Sequence, residues 1–214
     1  MKNIIDIYKE YKIMPNLVMH QVRVAAVAMQ ICESLGVSVD CESIVKACLL
    51  HDMANIIKFN LEYFPEHNEP EGLEYWQKVK DDYISKYGHN EHVASLSIAE
   101  ELGVSPYIYE LVNCVDSSAI ENIANGSDFG KKICIYADNR VTPFGVVSAE
   151  EHSLEAMERY KNHPLAFNEE SRSFFNKYLF LTEIQIFSNS KIKPEDINDE
   201  SVANYIEKLK AFTI

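Results

Sequence analysis

Apolar residues recur at helical spacing through most of this 214-residue chain. Between residues 16 and 35 they include Leu17, Val24, Val27 and Ile31, which are separated by seven, three and four positions and so share one face of a helix. Gly36 follows as a natural C-terminal stop. The same periodicity predicts further helices near residues 3–12, 41–52, 73–87, 89–102, 106–116, 129–139, 148–160, 168–187 and 199–211. The predicted fold class is therefore all-α.

The composition agrees with helices joined by short loops. Hydrophobic residues make up 47% of the chain, which is enough to bury one full core. Seven glycines and seven prolines are few for this length and argue against a turn-rich β sandwich. Neither an internal repeat nor a Gly/Ser linker divides the sequence. We predict a single helical domain over residues 1–214.

The chain is acidic, with 33 acidic against 20 basic residues and a formal charge of −13. Such a charge repels polyanions, so we expect neither a nucleic acid nor an anionic membrane as a partner. No apolar run approaches the roughly 18 residues of a membrane helix, and the start of the chain lacks the pattern of a signal peptide. The five cysteines form no CxxC pair and are typical of reduced thiols. These features predict a cytoplasmic protein.

Polar side chains that can bind a metal lie on the apolar faces of three predicted helices. His20 shares the face of Leu17 and Val24, and an apolar run ends in His51 and Asp52. Asp138 lies on an apolar stripe, where a carboxylate is costly unless it is paired or bound to a cation. Each could also be a hydrogen-bonded core residue. Together, two imidazoles and two carboxylates could fill four positions around a metal and leave room for water or a phosphate oxygen.

The order His, His-Asp, Asp resembles the HD-domain superfamily of metal-dependent phosphohydrolases. The local strings are also similar: His20-Gln21-Val22-Arg23-Val24-Ala25, Leu49-Leu50-His51-Asp52 and Ile135-Tyr136-Ala137-Asp138. The likeness covers about residues 15–160. It implies an HD-type helical core over those residues, with residues 161–214 as a C-terminal helical appendage.

The resemblance implies that His20, His51, Asp52 and Asp138 hold one divalent metal ion: Mn, Fe, Co, Mg or Zn. The string beginning at His89 and His92 looks like the family's His-x-x-x-Gly-Ala pattern, with a valine in place of the glycine. In members with two metals, a later His-Thr motif completes the second site. Residues 113–118 lack that histidine, although Asp116 could substitute for it. One metal is therefore favoured.

Other residues are expected to bind the substrate. Many relatives carry a phosphate-binding lysine where this chain has Asn55, so Lys58, Arg23 and Arg140 become the candidates for neutralising phosphate. Each could equally be a surface charge. His89 is expected to contact the phosphate or relay protons, and His92 is a weaker candidate for substrate binding. For both histidines, an ordinary position near a helix N-terminus is the alternative.

The resemblance implies hydrolysis of a phosphate ester or anhydride in a small phosphorylated molecule, such as a nucleotide. Asp52 would bridge the metal and the attacking water, with His89 or the loop carboxylate Glu66 as the acid. One alternative is a non-catalytic sensor that binds a nucleotide at a degenerate site. The other is a di-iron oxygenase of HD type, which residues 114–118 disfavour.

A homodimer is expected from the aromatic residues of the C-terminal helices, which carry no motif. These residues are Phe174, Phe175, Tyr178 and Phe180.

Overall fold

The computed structural model describes residues 2–161 and 168–214. Within those ranges the chain forms eleven α-helices, short 3-10 turns and one two-stranded hairpin. The all-α prediction is confirmed. The helices are α1 Ile4–Glu10, α2 Pro15–Ser34, α3 Cys41–Leu50, α4 Leu73–Tyr87, α5 Glu91–Glu101, α6 Pro106–Asn113, α7 Ile120–Asn125, α8 Phe129–Asp138, α9 Ala149–Tyr160, α10 Glu169–Phe187 and α11 Asp199–Leu209.

Helix α2 is the centre of the fold, and it packs against α3, α8 and α11. It is buried on more sides than its predicted stripe, because Val22, Ala25, Ala26 and Ala28 are also inaccessible. The small alanine side chains allow neighbouring helices to approach closely. Helices α3 and α8 also pack against each other. The three helices that carry the candidate metal ligands are therefore mutual neighbours.

The C-terminal end of α3 determines the orientation of His51 and Asp52. The helix starts at an Asp40 cap, whose carboxylate accepts from the backbone N–H of Ser43. Its last residue is Leu50, so it ends slightly before the predicted boundary, and His51 is its C-cap. Carbonyl groups in the last turn of a helix have no partner within that helix. The Cys48 carbonyl is therefore free to accept from a side chain.

A short hairpin connects α8 to α9. Strand β1, Val141–Thr142, pairs antiparallel with β2, Gly145–Val146. Strand β1 begins three residues after Asp138, the last residue of α8, and packs against both α2 and α9. Ser148 then caps α9 in a capping box with Glu151. The hairpin thus turns the chain so that α9 begins beside the C-terminal end of α8.

The C-terminal helices pack into the same core as the rest of the chain. Helix α11 lies against α2, and α10 lies against α7 and α8. The two chain ends also pair, because the Lys2 N–H donates to the Ile214 carbonyl at 3.0 Å and the Ile214 N–H donates to the Lys2 carbonyl at 2.9 Å. The pair His163-Pro164 predicts a break between the helices expected near residues 148–160 and 168–187, and it lies outside the described residues.

The aromatic residues behind the dimer expectation differ in exposure. Phe174 is 46% exposed, whereas Tyr178 is buried, and Phe175 and Phe180 are partly buried against the core. Dimerisation stays a prediction that now depends on Phe174. Among the helices of the described ranges, none has both the length and the hydrophobicity needed to cross a bilayer.

Candidate metal centre

The four predicted metal ligands lie together at the junction of α2, α3 and α8. The Nε2 atom of His20 is 3.1 Å from Oδ1 of Asp138 and 3.6 Å from Oδ2 of Asp52. The Nε2 atom of His51 is 3.3 Å and 3.6 Å from the same two oxygens. The two imidazole rings are tilted, with their centroids 5.4 Å apart. Residues distant in the sequence thus bring two imidazole nitrogens within 3.6 Å of two carboxylate oxygens.

The orientation of His51 is set by its other nitrogen. Nδ1 lies 2.8 Å from the carbonyl oxygen of Cys48, which can only accept, so Nδ1 carries the proton. In the neutral ring, Nε2 is then unprotonated and its lone pair faces Asp52 and Asp138. This arrangement, with one nitrogen bonded to a carbonyl and the other free to ligate, is usual for metal-binding histidines.

Asp52 is supported through its backbone. Its N–H donates to Oε1 of Gln21 at 3.3 Å, and the Gln21 side chain is fully buried next to His20 in the sequence. This contact orients the Gln21 amide so that its oxygen faces the backbone of Asp52. The Nε2 atom of Gln21 is buried without a protein partner. Gln21 was not a sequence-level candidate, because a lone glutamine gives no signal.

The separations between the donor atoms fit a single metal ion. Two ligands about 2.1 Å from an ion are about 3.0 Å apart in octahedral geometry and about 3.4 Å apart in tetrahedral geometry. The four imidazole–carboxylate distances run from 3.1 to 3.6 Å. Within the described ranges, one group of side chains has ligand atoms all within 4.8 Å of one another, namely His20, His51 and Asp52. That cluster of three could hold a metal. Asp138 is not part of it by this spacing, although its Oδ1 atom lies 3.1 and 3.3 Å from the two imidazole nitrogens.

The charges at this site stabilise one another. Burial lowers the pKa of His51, but the charge of Asp52 and the hydrogen bond to Asp138 outweigh it and raise the pKa to about 10. Burial raises the pKa of Asp138, yet its hydrogen bonds to His20 and His51 hold the pKa well below its usual range. The carboxylates thus favour positive charge between them, and an ion bound here would displace a proton.

Lys58 lies beside the cluster. Its Nζ atom is 3.7 Å from Oε1 of Glu91, at the start of α5. Burial lowers the pKa of Lys58, but the charges of Asp52, Glu91 and Asp138 raise it above its ordinary value overall. A cation is therefore present near the candidate ligands, although its substrate-binding role stays a prediction. Asn55, at the position of the relatives' lysine, is buried.

Arg140 does not face the site, and its prediction as a phosphate-binding residue is wrong. The residue is only 2% exposed. Its guanidinium donates to the Tyr136 hydroxyl at 2.7 Å and to the carbonyls of Pro194 and Ile197 at 3.1 and 2.8 Å. It also donates to the Val147 carbonyl. A substrate would have to displace these buried hydrogen bonds, so Arg140 is a structural connection to the C-terminal segment.

Arg23 lies one helical turn after His20, and its role stays a prediction. The Nε atom is 4.0 Å from Oδ1 of Asp199, and the side chain is 23% exposed. An ion pair at this separation is weak, so Asp199 of α11 holds the Arg23 side chain only weakly.

Two further histidines lie near the start of α5: His89 precedes the helix, and His92 is in its first turn. His89 is exposed, and the Nε2 atom of His92 is 3.1 Å from Oδ1 of Asn113. Asp116, considered as a substitute ligand, instead accepts from the Ser118 N–H at 2.8 Å. Within the described ranges, neither histidine hydrogen-bonds to the candidate ligands. Their catalytic and substrate-binding roles stay predictions, as does the role of the exposed Glu66.

One neighbour of the site was missed from the sequence. His152 on α9 is influenced by the charges of Asp138 and His20. Burial lowers its pKa, which the charge of Asp138 opposes, and the net shift keeps the ring neutral at pH 7. Helix α9 is polar over most of its length and resembles a solvent-exposed helix in the sequence. Its only signal was that His152, Glu155 and Arg159 are spaced to share one face.

Comparison with known proteins agrees with the geometry. Residues 17–112 match the family model of the HD domain. The matched segment includes His20, His51 and Asp52, while Asp138 lies beyond it and joins the site through the packing of α8. No curated protein and no solved structure matches the chain. The match over residues 17–112 supports the resemblance of this part of the chain to the HD-domain superfamily.

Proposed function

We propose that this protein hydrolyses a phosphate ester or anhydride bond in a small phosphorylated molecule of nucleotide type. One divalent ion would be held by His20, His51, Asp52 and Asp138. The observation that supports this function most strongly is the convergence of two imidazoles and two carboxylates at separations of 3.1 to 3.6 Å. A set of two imidazoles and two carboxylates suits Mn, Fe, Co or Zn. Mg would be bound mainly by the carboxylates, because it prefers oxygen ligands.

When bound, the ion supplies acidification of a water molecule and polarisation of a phosphoryl oxygen. The protein supplies positioning. The hydrogen bond from His51 to Cys48 fixes one imidazole, and Gln21 fixes the backbone of Asp52. The Asp52 side chain is 20% exposed, so it borders solvent and can accept a proton from the attacking water. Lys58 would neutralise a phosphate oxygen at the edge of the site.

The charge of the whole chain favours a small ligand. A net charge of −13 opposes the approach of a long polyanion. A small phosphate is attracted by the local positive charge of an ion and of Lys58, which act over a short distance. We therefore propose a small-molecule substrate and no nucleic acid.

Two other functions give different outcomes. A di-iron oxygenase needs a second set of ligands, and the described ranges contain one group with ligand spacing. A nucleotide sensor would retain binding but not turnover. Neither alternative has a specific contact in its favour.

Metal stoichiometry and phosphate release test the proposal together. We expect about one equivalent of Mn or Fe per chain and metal-dependent phosphate release from a panel of nucleotides. Asp52→Ala should lose both, whereas Asp82→Ala, at an exposed carboxylate of α4, should keep both. No bound metal after incubation with Mn or Fe would overturn the proposal. One bound metal with nucleotide binding but no release would identify a sensor, and two equivalents would restore the dinuclear chemistries.

A further inference from the structure

Two of the five cysteines flank the loop between α2 and α3. All five thiols are free, and all lie in the described ranges. Cys32 is in the last turn of α2, and Cys41 is the first residue of α3. The two helices pack against each other, so the short loop brings their facing ends together. The two thiols are close enough to hydrogen-bond to one another.

A cavity beside the loop supports this placement independently of the hydrogen bond. Its volume is about 420 Å³, and its lining includes Met29 of α2, Cys41 and Val45 of α3, and residues 211–213. Met29 and Cys32 are three positions apart on α2 and so share one face of that helix. Cys41 and Val45 are four positions apart and share one face of α3. The face of α2 that carries Cys32 therefore borders the same cavity as Cys41.

The two thiols differ in exposure and in acidity. Cys41 is partly exposed, whereas Cys32 is buried. The hydrogen bond from the Cys32 thiol lowers the pKa of Cys41, although burial opposes this shift. The same hydrogen bond raises the pKa of Cys32, and burial adds to the effect. The pair thus combines an accessible thiol that ionises more readily with a protonated thiol next to it.

The other three cysteines are less accessible than Cys41. The sulfur atoms of Cys48 and Cys134 are 3.9 Å apart, but these residues are only 1% and 0% exposed. Cys114 is 6% exposed, and its thiol donates to the Leu111 carbonyl at 3.0 Å. The reactivity of a thiol follows its exposure and its thiolate fraction. A reagent in solvent is therefore expected to react first with Cys41.

We propose that Cys41 and Cys32 are a modification site at which a peroxide oxidises the two thiols to a disulfide. With hydrogen peroxide, the Cys41 thiolate attacks one oxygen and becomes a sulfenic acid, and the other oxygen leaves as water after taking up a proton. The Cys32 sulfur then attacks the sulfenic sulfur, which forms the S–S bond and releases a second water. Two electrons pass from the thiols to the peroxide. A thiol reductant reverses the reaction by exchange.

This pair is distant from the metal centre along both helices. Cys32 follows His20 by twelve residues, and Cys41 precedes His51 by ten. These separations correspond to about 18 and 15 Å along a helix axis. Oxidation would link α2 to α3 at one end without consuming a metal ligand. The proposal therefore does not depend on the proposed hydrolysis.

Peptide mapping after limited treatment with hydrogen peroxide tests the proposal. Chelator-treated protein is used so that no bound metal reacts with the peroxide. The free thiols should fall from five to three, and a thiol reductant should restore them. A protease that cleaves after glutamate separates the two cysteines at Glu33, so a disulfide between Cys32 and Cys41 appears as two linked peptides. Before oxidation, iodoacetamide at pH 7 should label Cys41 about tenfold faster than each other cysteine.

Three variants test the order of the two steps. Cys32→Ser should leave Cys41 as a sulfenic acid that dimedone traps, because the second thiol is missing. Cys41→Ser should give neither the sulfenic acid nor the disulfide. The control Cys114→Ser should form the same disulfide as the unaltered protein, and melting temperatures check that each variant is folded.

The mapping of the unaltered protein decides the matter even where a variant is unstable. A disulfide between Cys48 and Cys134 as the first product would overturn the proposal. Equal labelling of Cys41 and Cys114, or five free thiols after a treatment that fully oxidises glutathione, would overturn it as well.

Discussion

The imidazole of His51 donates from Nδ1 to the carbonyl oxygen of Cys48, three residues earlier, at 2.8 Å. This contact uses a carbonyl that the end of α3 leaves without a helical partner. A single hydrogen bond therefore caps the helix and directs Nε2 toward Asp52 and Asp138. The termination of the helix at Leu50 is what makes His51 suitable as a ligand.

The charges around His51 predict how the stability of the metal-free protein changes with pH. The pKa of His51 is raised to about 10, against about 6.5 in an unfolded chain. The resulting stabilisation is fully present below about pH 6.5 and is lost as the pH rises through about 10. The lowered pKa of Asp138 affects stability at acidic pH. Its contribution to the unfolding free energy is lost only as the pH falls below the ordinary aspartate range.

Urea unfolding of chelator-treated protein at pH 6 and pH 10 measures this effect. The difference in unfolding free energy between the unaltered protein and His51→Gln should shrink by about 1–3 kcal/mol from pH 6 to pH 10. The control is His67→Gln, whose ring packs near Phe64 with centroids 5.2 Å apart. This variant measures the effect of removing a histidine ring outside the metal centre. A constant difference for His51→Gln would contradict the charge assignment.

Much of the metal centre could be predicted from the sequence because its residues depend on local patterns. His20 and Asp138 each lie on an apolar stripe, and the His-Asp pair follows an apolar run. Helical periodicity alone turns these side chains inward. The separations among them could not be predicted, since they depend on how α2, α3 and α8 pack.

The errors and omissions come from long-range contacts. Arg140 follows Asp138 by two residues and looks like a site residue, but its partners Pro194 and Ile197 are more than fifty residues away. His152 belongs to a helix whose polar character suggests a surface. Only the path of the chain through the β hairpin brings His152 close enough to Asp138 to be influenced by its charge.

Gln21 should affect metal binding although it is not a ligand candidate. Gln21→Leu removes the acceptor for the Asp52 N–H and leaves that group unpaired beside the ligands. Loss of a group that supports a ligand typically lowers metal affinity about 10–100-fold. Titration with manganese, followed by calorimetry, measures the loss. The matched variant is Gln30→Leu on the same helix, where the side chain bonds the distant Asp196 carbonyl. Unchanged affinity in Gln21→Leu would exclude this supporting role.

Gly145 should be essential to the hairpin that leads to α9. Its φ is +153°, and a Cβ atom there would lie 2.3 Å from Oδ2 of Asp199. Asp199 also accepts from the Val146 N–H at 3.1 Å, so it cannot move without losing that bond. Gly145→Ala should cost about 3 kcal/mol, combining backbone strain with the displaced carboxylate.

Gly72→Ala is the control for strain alone. Its φ is +87°, but an added Cβ would meet nothing within 4 Å. Its expected cost is about 1 kcal/mol. Equal losses in urea unfolding for the two variants would show that the contact with Asp199 contributes nothing.

Arg140 should act on stability and not on substrate binding. Arg140→Met would leave the carbonyls of Pro194 and Ile197 buried without donors, and it would also remove the bond to the Tyr136 hydroxyl. A buried acceptor that loses its donor typically costs about 1–3 kcal/mol, so the two carbonyls together should cost about 2–6 kcal/mol. Arg23→Met removes only a pair at 4.0 Å, and its cost should stay below about 1 kcal/mol. Urea unfolding gives both values.

At a temperature where Arg140→Met remains folded, its metal stoichiometry and phosphate affinity should equal those of the unaltered protein, because the guanidinium does not face the ligands. Loss of phosphate affinity with unchanged stability would instead return Arg140 to the substrate site.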